Sequence, residues 1–327
     1  DQCIADQVTE AIASAFSRIL GVNSVFASVA LPASANTQST FLNQVFIGLF
    51  RPDEDAKPRW FGNLKQYKLG FDDDNTLRLL DPNDVPVVDP ATGFIEECAY
   101  SYWTPSSPDT YWSFLSDSEQ RGECSSRDSV AVTSASNFPD GPIVEKGGQA
   151  YVGRSANSRT VYTCSSDIAT CDATTSLPRL DLDYNLISDT ALDANDPTDG
   201  DELIKWAIGW DVDGELDPNS TAPGLSATAM RPSMHGDVVH SRPVALNYGT
   251  DASPETVVYY GANDGMLRAV NGNRSAAQGT VAAGEEFWAF MPPEFYGKVK
   301  RLRENDDLIN FPASGPYAGV GGAAKPY

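Results

Sequence analysis

One stretch, residues 235–290, constrains the fold more than any other part of this 327-residue chain. Residues 257–260 are β-branched or aromatic, an Asn-Asp-Gly tight turn stands at 263–265, and an apolar strand resumes at 266–270. This order predicts a β-hairpin. A third, Trp-containing strand follows at 286–290. Strand, Asp-Gly turn, strand, loop and Trp-containing strand is the pattern of one β-propeller blade.

Three ordered blocks here resemble the PilC/PilY-type proteins, large surface proteins associated with the tip and assembly of type IV pili. The blocks are Gly-Asp-Val-Val-His-Ser-Arg-Pro at 236–243, Tyr-Gly-Ala-Asn-Asp-Gly-Met-Leu at 260–267 and Glu-Phe-Trp-Ala-Phe-Met-Pro at 286–292. A fourth block, Arg-Trp-Phe-Gly-Asn-Leu-Lys-Gln-Tyr at 59–67, extends the resemblance over roughly half of the chain. The family commonly carries His where this chain has Arg268. The resemblance implies these structural blade residues: Asp237, His240, Arg242, Asn263, Asp264, Gly265 and Trp288.

The predicted fold class is mainly β, in three regions. Residues 1–23 are predicted to form an N-terminal amphipathic helix. The resemblance implies that this helix is either a connector or the end of a preceding von Willebrand A-like domain. Residues 24–230 form an irregular, β-rich lead-in region with disulfide-stapled loops, and residues 231–327 begin a PilC/PilY-type propeller. A propeller closes with roughly 4 to 8 blades, so we expect further chain or a partner to supply the rest. The helix has an apolar stripe at three- and four-residue steps: Val8, Ile12, Phe16, Ile19 and Leu20.

The lead-in region contains further strand patterns and a crowd of aromatic residues. Strands are predicted at 24–31, 40–50, 65–69, 76–80 and 158–163, and a short helix at 202–210. In the strand at 65–69, Lys65 falls on the apolar side of the alternation. The aromatic residues of segment 100–114 form either a small irregular core or a recognition platform.

The charge balance limits the partners. The chain has 45 acidic and 23 basic residues, a net charge of -22. Such a surface repels the phosphate backbone of nucleic acid and anionic lipid. No apolar run reaches the roughly 20 residues of a membrane span. We therefore expect neither a nucleic-acid partner nor a membrane span, and an acidic surface that suits a protein outside the cell or one that gathers divalent cations.

The five cysteines indicate disulfides rather than a zinc site. None forms a CxxC pair, and the chain has only two histidines. Cys164 and Cys171 bound a short polar loop and are predicted to be bonded, and Cys98 with Cys124 is predicted to close a second loop. Cys3 has no partner in this scheme. Because disulfides persist in oxidising compartments, we expect an exported protein.

One acidic run is a candidate calcium site. Asp211, Asp213, Glu215 and Asp217 place carboxylates at alternate positions around a glycine turn, which suits the oxygen preference of Ca²⁺. The run departs from an EF-hand loop, because its glycine stands at the fourth position and no glutamate stands at the twelfth. The alternative is an acidic turn at the end of a helix. Apart from Ca²⁺, we expect no cofactor.

We expect no catalytic residues. His240 and Ser241 are neighbours on a predicted strand, where adjacent side chains point to opposite faces and do not form a nucleophile and base. Asp237 or Asp264 is expected to form a buried structural ion pair with Arg242.

These features predict a non-enzymatic extracellular component of a type IV pilus, a tip-associated adhesin and assembly factor on the outer cell surface. Its expected partners are major or minor pilin subunits and a host or abiotic surface. One alternative is a quinoprotein dehydrogenase-like propeller fragment, because residues 284–288 come near the Gly-Glu-x-x-Trp block of those propellers. Another is a calcium-dependent surface lectin, built on the aromatic residues and carboxylates.

Overall fold

The computed structural model confirms the mainly β fold class, with 27% of residues in strands and 17% in helices. It describes residues 26–30, 43–156, 158–164, 177–181, 184, 186–216, 226–250, 252–306 and 308–309. The predicted helix at 1–23 lies outside the described residues, as do Cys171 and Asp217. The described strands form separate sheets and do not close a propeller.

The first sheet has four strands that pair antiparallel in sequence order. They are β1 (Phe26–Ala30), β2 (Gln44–Arg51), β3 (Phe61–Phe71) and β4 (Leu77–Leu80). The strands predicted at 24–31, 40–50, 65–69 and 76–80 are therefore confirmed. Six consecutive residues are buried in both β2 and β3, which shows that this sheet is covered on both faces.

The second sheet has five strands in the order β10-β11-β12-β13-β7. Their bounds are β7 (Val161–Thr163), β10 (Val244–Asn247), β11 (Thr256–Gly261), β12 (Leu267–Asn271) and β13 (Glu286–Met291). Strands β10 to β13 are successively antiparallel, and β7 joins β13 in parallel. The predicted hairpin and its third strand are thus confirmed, and so is the strand predicted at 158–163.

The remaining elements are short. Two small sheets pair β5 (Ser126–Arg127) with β6 (Val130–Ala131) and β8 (Trp210–Asp211) with β9 (Ser226–Met230). The helices are α1 (Gly148–Ser155), α2 (Asp189–Leu192), α3 (Pro197–Ile208) and α4 (Val299–Glu304), with 3-10 turns at Tyr111–Phe114 and Pro293–Lys298.

Helix α3 corresponds to the short helix predicted at 202–210, but it begins at Pro197 and ends at Ile208, and Trp210 belongs to β8. The Asp196 side chain accepts hydrogen bonds from the backbone N–H groups of Thr198 and Asp199, and Pro197 occupies the first turn. Gly209 ends the helix with a φ of 115°, a conformation that favours glycine.

Three buried clusters hold the layers together. The inter-sheet core joins the two large sheets through Phe46, Leu64, Trp103, Val238, Val258, Tyr260, Ala262 and Val270. The loop-side core packs the other face of the four-stranded sheet on segment 87–144 through Val45, Ile47, Leu49, Tyr67, Val87, Ala99 and Val144. The helix-side core places α2, α3 and α4 against Val161, Met266, Ala289 and Met291. Residues from both sides of the predicted 230/231 boundary share the inter-sheet core, and the domain division stays a prediction.

The aromatic segment contributes mainly to the interior. Trp103 and Trp112 are 8% and 3% exposed, and their indole N–H groups donate to the Asn273 carbonyl at 2.8 Å and the Asn137 side chain at 3.0 Å. The Arg154 guanidinium lies over the Trp112 ring, 4.9 Å from its centroid. For these two tryptophans the core alternative is confirmed.

A buried ion pair explains why Lys65 lies on the apolar side of β3. Its Nζ is 2.7 Å from a carboxylate oxygen of Asp140, and both side chains are fully buried. The same Nζ donates to the carbonyls of Gly141 at 3.0 Å and Ile143 at 2.8 Å. Burial lowers the pKa of Lys65, and the charge of Asp140 opposes that shift. The pair therefore attaches the loop region to the four-stranded sheet.

Two glycines bring the backbone of the four-stranded sheet into contact with the segment at 235–237, which precedes β10. Phe61 forms a β-bridge with Gly236, and the Gly62 N–H donates to the His235 carbonyl at 3.3 Å. A Cβ at Gly62 would overlap the carbonyl group of Gly236, and a Cβ at Gly236 would lie 2.6 Å from the Asp264 nitrogen. This junction therefore requires residues without side chains at both positions.

We predict that Gly62→Ala lowers the free energy of unfolding by about 1 to 3 kcal/mol, because the added methyl group forces the junction apart. Urea unfolding measures the change. Gly261→Ala is the matched control, since its Cβ would be 3.9 Å from the nearest atoms. Equal stability of the two variants would contradict the tight contact.

Candidate functional site

The turn between β11 and β12 holds one largely buried carboxylate, Asp264, whose side chain is 10% exposed. Arg268 donates to both of its oxygens, with one distance of 3.0 Å. The backbone N–H groups of Gly236 and Met266 donate to the same carboxylate at 3.2 and 3.1 Å. The carboxylate thus fixes the turn, the strand that follows it and the incoming segment at 236.

The partner of Asp264 corrects the sequence-based pairing. Arg242 is exposed and Arg268 is fully buried, so the ion pair of Asp264 is with Arg268. Burial alone would raise the pKa of Asp264, but the charge and hydrogen bonds of Arg268 hold that pKa well below its usual range. Burial would likewise lower the pKa of Arg268, and Asp264 raises it above its usual value. Both groups are therefore charged in the folded chain.

Glu286 extends this ion pair into a network. Its carboxylate lies 3.3 Å from Arg268 Nε and accepts from Arg159 Nη2 at 2.9 Å and Nε at 3.1 Å. Arg159 also donates to the Ile208 carbonyl at the end of α3, at 2.9 Å. The network connects the hairpin, β13, the segment before β7 and the helical layer.

His235 is buried beside this network as a neutral ring. Its Nδ1 is 2.8 Å from the Gly236 carbonyl, which only accepts, so Nδ1 carries the proton. Its Nε2 then accepts from the Tyr260 hydroxyl at 2.8 Å. Burial, aided by the charge of Arg268, lowers the pKa of His235 to about 3. At neutral pH this histidine has a structural hydrogen-bonding role.

A second polar contact fixes the turn from its other side. The Asn263 side chain donates to the Asp237 carboxylate, and the Asn263 N–H donates to the Asp237 carbonyl at 2.9 Å. Gly265 has a φ of 83°, and a Cβ there would lie 2.9 Å from Phe295. The Asn-Asp-Gly order is thus explained by one side-chain bond, one ion pair and one left-handed residue.

A surface cleft of about 330 Å³ opens next to the motif. Its polar side is formed by Asp237, His240, Ser241 and Asn263, and its walls are mainly apolar. Its remaining lining residues are Val239, Gly261, Ala262, Gly265, Met266, Leu267, Pro292 and Phe295. His240 is exposed, and the Ser241 hydroxyl accepts from the Gly261 N–H at 2.8 Å. The shape suits an apolar group of moderate size beside hydrogen-bonding partners.

Trp288 lies away from this cleft. It stands opposite Ala269 on the five-stranded sheet, and its ring centroid is 6.1 Å from that of Tyr259. Of the seven blade residues, the structure therefore brings together Asp237, Asn263, Asp264 and Gly265, with His240 at the rim of the cleft, and separates Arg242 and Trp288 from them.

Two carboxylates of the predicted calcium run are paired with arginine. Asp213 accepts from Arg303 at 2.8 Å, and Glu215 accepts from Arg59 at 2.8 Å. Both carboxylates line an open cleft of about 420 Å³ that also contains these arginines. Guanidinium groups therefore neutralise Asp213 and Glu215 in this cleft.

The first residue of that run closes a turn. The Asp211 carboxylate accepts from the backbone N–H groups of Glu215 at 2.7 Å and Leu216 at 3.1 Å. Burial raises the pKa of Asp211, opposed by those two hydrogen bonds. Asp217 lies outside the described residues, which contain no group of three or more His, Cys, Asp or Glu placed to hold a metal. Calcium binding stays a prediction.

One predicted disulfide is confirmed. Cys98 and Cys124 are bonded, with their Cα atoms 5.1 Å apart. Cys164 is also disulfide-bonded, and its predicted partner Cys171 lies outside the described residues.

Sequence reasoning missed the central charged residues of this site. Arg268 is marked in the sequence as a departure from the family that the chain resembles, and Glu286 is the first residue of the third resembling block, but neither position indicates its partner. Arg159 gives no signal, because a single charged residue before a strand is common on protein surfaces.

Comparison with protein-family models, curated proteins and solved structures finds no match for this chain. Among the described helices, none is long and apolar enough to cross a membrane.

We predict that Arg268→Met lowers the free energy of unfolding by about 3 to 5 kcal/mol, because Asp264 is left as an uncompensated buried charge. Denaturant unfolding at pH 7 measures the loss. The double variant Asp264→Asn with Arg268→Met should recover part of the lost stability. The exposed control Arg242→Met should change the free energy of unfolding by less than about 0.5 kcal/mol. A double variant less stable than Arg268→Met would contradict the charge explanation.

His235 gives a pH dependence with a defined sign. Its pKa falls from 6.5 to about 3 on folding, so below pH 6.5 the unfolded chain binds a proton that the folded chain does not. Stability is therefore lost as the pH falls from 6.5 towards 3. Between pH 7 and 5 we expect this residue to account for roughly 2 kcal/mol of lost stability. Urea unfolding of the wild type and of His235→Gln at pH 7 and pH 5 measures this contribution. Equal losses of stability in the two proteins would show that His235 does not cause the pH dependence.

Proposed function

We propose that this chain is a non-enzymatic extracellular component of a type IV pilus, acting at the tip or in assembly. The observation that carries the proposal is the convergence of the four resembling blocks. The Phe61–Gly62 backbone contacts His235–Gly236, Gly236 contacts Asp264, and Arg268 links Asp264 to Glu286. Four chance matches to one family, at separate positions between residues 59 and 292, would not be expected to contact one another in the fold.

The disulfide supports the extracellular part of the proposal. Cys98 and Cys124 are bonded within a loop-rich region, and such bonds persist in oxidising compartments. The net charge of -22 is compatible with a protein kept dispersed at a cell surface.

The sheet arrangement supports the propeller part. Strands β1 to β4 and strands β10 to β13 are both antiparallel four-strand meanders, and they pack face to face through the inter-sheet core. Propeller blades are four-stranded sheets stacked in this way. We propose that residues 231–327 begin such a propeller, which presents loops and strand edges to pilin subunits or to a host or abiotic surface.

Pilus association tests this function. The full-length protein should co-purify with sheared pili from a piliated strain and be absent from the same fraction of a strain that lacks the major pilin. Equal recovery from both strains would contradict the proposal. Quinone-dependent dye reduction by the full-length protein would favour the dehydrogenase alternative, and calcium-dependent glycan binding without pili would favour the lectin.

A further inference from the structure

Lys65 and Asp140 bring an amine and a carboxyl group into contact inside the protein. Lys65 stands in the middle of β3, and Asp140 lies in the loop region, 75 residues further along the chain. Both side chains are 0% exposed, and Lys65 Nζ lies 2.7 Å from Asp140 Oδ2. An amine and a carboxyl group are the two groups that condense to an amide, so this pair can react as well as attract.

Ser101 holds the Asp140 carboxyl group in one orientation. Its backbone N–H donates to Oδ1 at 2.8 Å, and its hydroxyl donates to Oδ2 at 2.8 Å. The two carboxyl oxygens therefore differ, because Oδ2 contacts the lysine and Oδ1 accepts from an amide N–H. A fixed N–H donor of this kind stabilises the negative charge that develops on a carbonyl oxygen when a nucleophile attacks the carbon.

The amine is held against this carboxyl group from its other side. Lys65 Nζ also donates to the carbonyls of Gly141 at 3.0 Å and Ile143 at 2.8 Å. Burial lowers the pKa of Lys65, which favours the neutral, nucleophilic amine, and the charge of Asp140 opposes that shift. Because the fold holds both groups in place, their condensation is intramolecular and avoids most of the entropic barrier of a reaction between separate molecules.

Burial also favours the condensed product. Two charges in a protein interior carry a desolvation cost that their mutual attraction offsets only in part. An amide between the same two side chains is neutral, and the water that is released enters bulk solvent. Between free ions in water this reaction is opposed by the hydration of the ions, which Lys65 and Asp140 have already lost on folding.

We propose that Lys65 and Asp140 form an intramolecular isopeptide bond. Lys65 Nζ attacks Cγ of Asp140, the Nζ–Cγ bond forms, and the Cγ–Oδ2 bond breaks. Two of the three ammonium protons leave with Oδ2 as one water molecule, and the third stays on the amide nitrogen, so no further reactant is needed. Oδ1 becomes the amide oxygen and keeps its hydrogen bond from the Ser101 N–H. The bond joins β3 covalently to the loop region and does not depend on a pilus role.

Peptide mapping of the full-length protein, reduced and alkylated, tests the bond. Trypsin should not cleave after Lys65, and it should release peptide 60–68 joined to peptide 128–146, with a mass one water below the sum of the two. Fragment spectra should place the link between Lys65 and Asp140. Lys146 is the internal control, because its Nζ donates to the carbonyls of Arg121 and Ser134. Trypsin should therefore cleave after Lys146.

A second way of losing one water must be distinguished from the isopeptide bond. Asp140 precedes Gly141, and an Asp-Gly pair loses one water when it closes a succinimide ring on its own backbone. A linear peptide 128–146 that is lighter by one water, with cleavage after Lys65, would overturn the proposal. Both peptides at full mass would overturn it as well.

The variant Lys65→Arg completes the test. Arginine keeps the positive charge but has no primary amine to form the amide. The intact mass of this variant should therefore equal the mass expected from its sequence with alkylated cysteines, whereas the wild type should be lighter than expected by one water. A missing water in Lys65→Arg would overturn the proposed link.

Discussion

The packing of the separate layers depends on the buried carboxylate of Asp264. A charge in a protein interior costs several kcal/mol unless it is neutralised and hydrogen-bonded. Arg268 and the backbone of Gly236 meet that requirement at Asp264, and Glu286 meets it in turn for Arg268 and Arg159. Because each charged group of this network needs its partners at hydrogen-bonding distance, each residue is held in one position relative to the next. The hairpin turn, the segment at 235–237, β13 and the helical layer are fixed together in this way.

The close approach of two backbones adds a steric constraint to this electrostatic one. Gly62 and Gly236 let the four-stranded sheet contact the motif segment without intervening side chains. That sheet is then covered on one side by the five-stranded sheet and on the other by the loop region, to which Lys65 and Asp140 attach it. On the five-stranded sheet, in contrast, the side chains of Val244, Leu246 and Leu267 remain exposed.

This arrangement separates the residues that build the motif from those that can meet a partner. Asp264, Arg268 and His235 are enclosed, and their perturbed pKa values follow from burial and from one another. A structural ion-pair network produces strongly shifted pKa values as an active site does. Within the described residues, the cleft beside His240 is a surface that a partner can reach.

The sequence by itself determined the strand-rich fold class, the hairpin with its third strand, the strands of the lead-in region and the Cys98–Cys124 bond. These follow from local signals: alternation, β-branched runs, an Asn-Asp-Gly turn and loop-closing cysteines. Only the tertiary structure decided that Arg268 rather than Arg242 pairs with Asp264, that Glu286 joins Arg159, and that Asp213 and Glu215 face arginines. A charged residue carries no local mark of its partner, because an ion pair is set by distance in space, and chain folding alone brings distant segments to that distance.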